Sequence, residues 1–112
     1  MKILLAIDGS PYSKKMLAYL CAHDELINAG RNTFTALTVL PAIPPRARAV
    51  LSKEMVDEYY REEGAKVLDP VRKYLEQSCI FPKERLEVGH PGDIIASIAE
   101  EEKYDLISMG SH

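Results

Sequence analysis

Five consecutive apolar residues near the start of the chain, Ile3 to Ile7, constrain the fold more than any other feature. An unbroken apolar run of this length is typical of a central parallel strand that helices cover on both faces. Asp8-Gly9-Ser10-Pro11 ends the run, and here Ser10 is a suitable N-cap and Pro11 suits the first helical position. The helix that follows has an apolar stripe at helical spacing, made of Leu17, Leu20, Cys21 and Ile27.

The alternation of short apolar runs and longer amphipathic segments continues to the last residue. It predicts a second strand at 33–40, a long helix over 50–78, a third strand at 85–89, a helix that starts after His90, and a fourth strand at 105–109. Such alternation indicates an α/β fold with a doubly wound, mostly parallel sheet. We expect one domain over residues 1–112, with four strands in the order 3-2-1-4 and right-handed crossovers.

The long helix carries apolar residues at steps of four, which we expect to form one packing face: Leu51, Met55, Tyr59, Val67, Val71 and Leu75. Gly64 and Pro70 interrupt this pattern. Because Pro70 cannot donate to the carbonyl of Lys66, we predict a kink, or two separate helices, between Gly64 and Pro70.

Charge and run lengths exclude several classes of protein. The chain has 14 Lys plus Arg and 17 Asp plus Glu, a net charge of −3, so it lacks the basic footprint of a duplex nucleic-acid binder. The run Ile3–Ile7 is far too short for a membrane span or for a signal peptide. Cys21 and Cys79 have no close Cys or His at metal-binding spacing. We therefore expect a cytoplasmic protein with reduced thiols and with neither nucleic-acid nor membrane partners.

Three segments, KILLAIDGSPYS, LTVL and VGHPGDIIASIAEEEKYDLISMGSH, are together similar to the universal stress protein family over nearly the whole chain. This resemblance implies a Rossmann-like sheet that binds an adenine nucleotide, ATP or AMP, and Mg²⁺ could accompany the nucleotide. It places Ala6 and Asp8 beside the nucleoside, with Asp8 accepting a hydrogen bond from a sugar hydroxyl. Val39 would offer its backbone to the adenine edge, and Met109 and Gly110 would lie close to the ribose.

The family's glycine-rich phosphate loop is represented here by Gly110, Ser111 and His112 alone. Its remaining glycines, with the fifth strand and last helix, would follow residue 112. We therefore expect a C-terminally truncated member of the family, either a fragment or a protomer covered by a neighbour. Because phosphate binding depends on convergent backbone N–H groups, residues 1–112 alone should bind ATP poorly or not at all.

The resemblance implies a stress-response protein that is non-catalytic or at most a weak ATPase, and that forms a homodimer or another homo-oligomer and has a protein partner of unknown identity. The sequence contains neither a G-x-S-x-G elbow nor a Walker motif, so it gives no sign of a more efficient enzyme. An alternative is an interaction module that has lost nucleotide binding and pairs through its fourth-strand edge.

Single residues also have simpler interpretations. Asp8 could brace a turn, Gly89 and Gly110 could be ordinary strand-end glycines, and the three histidines lack metal spacing.

Overall fold

The computed structural model of the protein describes residues 2–8, 11–22, 32–77 and 80–109. Its elements, in chain order, are β1 (Lys2–Ala6), α1 (Pro11–Ala22), β2 (Thr33–Leu40), α2 (Pro45–Arg48), α3 (Lys53–Gln77), β3 (Lys83–Val88), α4 (Pro91–Glu101) and β4 (Leu106–Met109). The four described strands are parallel and lie in the order β3-β2-β1-β4. The predicted α/β fold and its strand order are confirmed.

The apolar run of β1 and the following Ile7 contribute side chains to both faces of the sheet, as expected for a strand that helices cover on both sides. Ile3, Leu5 and Ile7 face α1 and α3, where they pack with a buried cluster that includes Leu17, Leu68, Val71 and Leu75. Leu4 and Ala6 face the opposite way, against Leu37, Ile95 and Ile98. Because successive side chains of a strand point to opposite faces, one run of apolar residues fills both layers of the core.

The long helix differs from its prediction in two ways. It runs unbroken from Lys53 to Gln77 with Pro70 inside it, so of the two predicted alternatives the second, two separate helices, is wrong, and a kink stays a prediction. Pro70 is exposed, so water can reach the helix surface where proline removes one hydrogen bond. The predicted packing face is also wrong in its first half, where Met55 is 57% and Tyr59 48% exposed.

The buried seam of α3 consists of Val56, Gly64, Leu68, Val71 and Leu75. A step of four residues overshoots a full helical turn by about 40°, so a series of such steps drifts around the helix. The predicted series therefore meets the core only in its second half, at Val67, Val71 and Leu75. Gly64 allows α3 to approach β3 closely, because a Cβ at this position would come within 2.8 Å of a methyl group of Leu86.

A network of polar contacts closes the amino edge of the sheet, where the parallel strands begin. The backbone N–H of Lys2 donates to Asp105 Oδ2 (2.7 Å), and the N–H of Asp105 donates to the Lys2 carbonyl (2.8 Å). The Lys2 ammonium donates to the Glu102 carbonyl and lies 4.6 Å from the centre of the Tyr104 ring. Tyr104 in turn donates through its hydroxyl to Thr35 Oγ1 (3.1 Å). These contacts join β1, β2 and the α4–β4 connection.

Arg85, which lies beside Leu37 in the strand register, extends this network through its ion pair with Glu102. It is ion-paired with Glu87 (2.9 Å) and with Glu102, and the hydrogen bond to Glu87 raises the pKa of the guanidinium further above its usual range. The side chain is partly exposed, so we expect a modest contribution to stability. Among the described helices, none is both long and apolar enough to cross a membrane.

Candidate functional site

The carboxyl ends of the strands meet at the opposite edge of the sheet. In the strand register Ala6 lies beside Leu37 of β2 on one side and beside Met109 of β4 on the other. Val39 follows Leu37 by two residues and so belongs to the same face of the sheet. The sheet thus brings together the backbones of three residues predicted from the sequence, Ala6, Val39 and Met109. The predicted contribution of Gly110 lies outside the described residues.

A cleft of about 140 Å³ opens at this edge, between the strand ends and the start of α4. Its walls are Ala6, Ile7, Asp8, Leu37, Val39, Pro91 and Ile95. Three of the predicted site residues, Ala6, Asp8 and Val39, therefore line one cavity. The small side chain of Ala6 leaves space beneath the first turn of α4, and apart from Asp8 the lining residues that the structure describes are apolar.

Asp8 is held in place by a serine that the sequence analysis did not select as a ligand or positioning residue. The Ser13 hydroxyl donates to Asp8 Oδ1 (2.7 Å), and the backbone N–H of Asp8 donates to Ser13 Oγ (3.2 Å). Ser13 is 1% exposed, whereas Asp8 is exposed. The reciprocal pair fixes the carboxylate at the mouth of the cleft and satisfies the buried hydroxyl.

The start of α1 at Pro11 explains why Ser13 reaches Asp8. A helix that begins there places its third residue in the first turn, on the side that faces the end of β1. The signal available in the sequence was a serine five residues after the strand-end aspartate, at an inward position of the first turn. The predicted N-cap, Ser10, lies outside the described residues.

Gly89 shapes the far wall of the cleft. Its φ of +147° is one that side-chain-bearing residues rarely adopt, and an added Cβ would lie 3.3 Å from the Ile94 side chain. Its N–H donates to the carbonyl of Leu40 (2.9 Å), which continues the β2–β3 ladder to the turn. Because Gly89 can adopt this φ, the chain turns between the end of β3 and the start of α4 at Pro91, and Pro91 lines the cleft. This geometry favours the interpretation of Gly89 as a strand-end glycine.

A second groove lies on the opposite face of the sheet, between α1 and α3. It has a volume of about 380 Å³, and its lining includes Ser13, Lys14, Leu17, Lys66 and Val71. It is larger and shares Ile7 with the cleft, but it contains none of the predicted site residues, which gather at the carboxyl ends of the strands, where parallel α/β sheets bind ligands. The smaller cleft is therefore the candidate site.

The match to a protein-family model decides the family. The model for the universal stress protein family matches residues 1–112, the full length of this sequence. The chain belongs to the universal stress protein family. The resemblance seen in the three sequence segments is therefore confirmed.

Individual relatives agree with this assignment. The chain is 28% identical over 110 residues to universal stress protein MJ0531 of Methanocaldococcus jannaschii, a match that covers 98% of this chain and 64% of the relative. It thus spans less than two thirds of that curated relative. Among solved structures, hypothetical protein MJ0577 is 27% identical with a TM-score of 0.79, over 99% of this chain and 74% of that one.

Two further solved structures share the fold and were crystallised with adenine nucleotides. A universal stress protein family protein from Arabidopsis thaliana with AMP bound is 16% identical, with a TM-score of 0.71 over 99% of this chain and 76% of that one. A universal stress protein in complex with cAMP is 18% identical, with a TM-score of 0.61 over 96% of this chain and 69% of that one. At these identities the likeness shows the fold alone.

Proposed function

We propose that the cleft at the carboxyl edge binds the adenosine part of an adenine nucleotide, and that the protein is a nucleotide-responsive stress protein. The observation that carries the proposal is the Asp8 carboxylate, held by Ser13 at the mouth of an otherwise apolar cleft. A fixed carboxylate is an acceptor suited to the hydroxyls of a sugar, and an apolar slot is suited to the faces of a base. The AMP and cAMP complexes of two relatives, which share adenosine, support this choice.

The dimensions of the cleft limit what it can enclose. Its volume of about 140 Å³ is below the roughly 300–1,000 Å³ of sites that enclose a whole drug-sized ligand. It would accommodate one ring system, with the sugar outside it near Asp8. Among the described residues of its lining, the charged side chain is the Asp8 carboxylate, which does not attract phosphate. For residues 1–112 we therefore propose that ATP and AMP bind no more tightly than adenosine.

We also propose that the protein is non-catalytic, or at most a weak ATPase. Ser13 and Asp8 have the hydrogen bond expected between a nucleophile and a base, but Ser13 is 1% exposed and so cannot reach a substrate. The described residues contain no group of three or more His, Cys, Asp or Glu that could hold a metal ion. If Mg²⁺ takes part, we propose that it arrives with the phosphates. A cytoplasmic location and a homodimeric state complete the proposal.

Thermal denaturation with adenosine, AMP, cAMP and ATP, each followed by calorimetry, tests the nucleotide site. A ligand that binds only the folded protein raises its melting temperature. We expect all four adenine compounds to do so and guanosine to do so less. Asp8→Asn should weaken adenosine binding, whereas Asp93→Asn, a matched exposed carboxylate in the first turn of α4 outside the cleft, should not. Equal affinities of the two variants would overturn the proposed site.

A further inference from the structure

The groove between α1 and α3 is large enough to hold a small molecule, and the proposed adenosine site leaves it unused. Its volume of about 380 Å³ lies within the roughly 300–1,000 Å³ typical of small-molecule sites. Ile7, Leu17 and Val71 line it and are buried, whereas Lys14 and Lys66 line it and are exposed. We refer to this space, between residues 13–17 of α1 and 66–74 of α3, as the helix groove.

The lining of the helix groove changes in character along its length. Both helices follow strands of the parallel sheet and run back towards its amino edge, so they are roughly parallel to each other. Lys14 and Lys66 come early in the groove along their helices, whereas Leu17 and Tyr74 come last. From Lys66 to Tyr74 the helix rises by about 12 Å. The groove therefore has its ammonium groups towards one end and apolar residues beyond them.

The charges around the helix groove favour an anion at that end. The charged residues in its described lining are two lysines. The ammonium of Lys66 is bonded to Glu63 (2.9 Å), which raises the pKa of this lysine but also neutralises part of its charge. The ammonium of Lys14 has no ion pair within the described part of the chain. Glu62 and Asp69 line a neighbouring depression with Lys66 and are not in the groove lining. An anionic group is therefore attracted mainly to Lys14.

Apolar rings form the exposed wall on the α3 side of the groove. Pro70 and Tyr74 are four residues apart and so lie on the same side of the helix. Pro70 is exposed, and Tyr74 is 40% exposed. Water that covers these rings and the apolar residues between the helices is released when an apolar chain takes its place.

The helix groove and the adenosine cleft lie on either side of Ser13 and have opposite charge. Ser13 lines the groove, and its hydroxyl donates to Asp8, which lines the cleft. Lys14, the next residue, lines the groove. A carboxylate suits the hydroxyls of a sugar, whereas an ammonium group suits an anion. The two spaces therefore select ligands of different chemistry.

We infer that the helix groove binds an amphipathic carboxylate of the class of medium-chain fatty acids. The apolar chain packs on Ile7, Leu17 and Val71, and the carboxylate lies near the ammonium of Lys14. An alcohol or an amine with the same chain has the apolar part but lacks the charge that complements the lysines. The inference rests on the helix groove alone and does not depend on the nucleotide site.

Calorimetric titration of the 112-residue chain with octanoate, below the concentration at which it forms micelles, tests this site. We expect saturable binding and a raised melting temperature, with the corresponding alcohol and amine bound about tenfold more weakly. Lys14→Glu should weaken octanoate binding by about tenfold. The matched control is Lys73→Glu, the same change at an exposed position of α3 outside the groove lining, and its affinity should be unchanged. No saturable binding, or equal binding of the alcohol, overturns the inference.

A larger side chain within the groove tests where octanoate binds. Val67 is half-buried in the lining, so Val67→Trp should fill the space and abolish octanoate binding in a variant that circular dichroism shows to be folded. Adenosine and AMP should not displace octanoate from the natural chain. Displacement by either of them, or unchanged octanoate affinity in folded Lys14→Glu and Val67→Trp, would place the ligand outside the helix groove and overturn the inference.

Discussion

The two edges of the sheet differ in how their polar groups are used. At the amino edge Lys2, Thr35, Glu102, Tyr104 and Asp105 bond to one another, in a network that joins β1 and β2 to the α4–β4 connection. At the carboxyl edge one buried serine holds one exposed carboxylate beside an apolar cleft. The first arrangement stabilises the fold. The second presents a fixed acceptor to solvent, which is the more suitable arrangement for binding.

Removal of the Tyr104 side chain should produce the largest effect and should be confined to stability. Tyr104→Ala deletes a half-buried ring, its hydrogen bond to Thr35 and the surface beneath the Lys2 ammonium. We expect the free energy of unfolding to fall by about 2–4 kcal/mol in urea denaturation, with adenosine affinity unchanged at a temperature where the variant is folded. Tyr104→Phe, which keeps the ring, should cost about 1 kcal/mol. Weaker adenosine binding in a folded Tyr104→Phe would contradict the division between the edges.

Asp8→Asn should show the opposite behaviour. Asparagine keeps an oxygen for the Ser13 hydroxyl and the same backbone N–H, so we expect stability to change by less than about 1 kcal/mol. Loss of the charged acceptor should weaken adenosine binding by about tenfold, which corresponds to about 1.4 kcal/mol. Calorimetric titration and urea denaturation of the same preparation measure both quantities. A large loss of stability with unchanged binding would make Asp8 a turn-bracing residue only.

Ser13→Ala should have a smaller effect on binding and an intermediate one on stability. It removes the buried hydroxyl and its hydrogen bond to Asp8 Oδ1, at a cost of about 1 kcal/mol in unfolding free energy. If Ser13 acts through Asp8, adding Ser13→Ala to Asp8→Asn should weaken adenosine binding less than it does in the natural chain. Strictly additive effects on adenosine affinity would show that Ser13 does not position the carboxylate.

Local patterns were sufficient to predict most of the fold. Strand β2 has the bounds expected from its β-branched run, and the sheet has the strand order expected for this alternation of elements. The resemblance also selected Ala6, Asp8 and Val39, which line one cleft. Their role in binding remains a prediction.

The errors and omissions have identifiable physical causes. The face of α3 was misjudged because steps of four drift around a helix, so the residues facing the core in its first half are Val56 and Gly64. Ser13 was missed because its role depends on a contact between the end of β1 and the first turn of α1. The amino-edge network joins Lys2 to Asp105 and Thr35 to Tyr104, pairs that are far apart in sequence and close only after the sheet has formed.

We expect the smallest effect from Lys2→Met. This substitution tests how much the charge of the Lys2 ammonium contributes to stability at the amino edge. Methionine preserves much of the apolar stem but removes the ammonium from the Glu102 carbonyl and from the Tyr104 ring. Since Lys2 is exposed, we expect a loss of about 0.5–1 kcal/mol in the free energy of unfolding, and a smaller loss in high salt. Urea denaturation at two salt concentrations measures it. The backbone bonds between Lys2 and Asp105 survive the substitution, so a loss as large as that of Tyr104→Ala would mean that the ammonium, and not the aromatic ring, organises this edge.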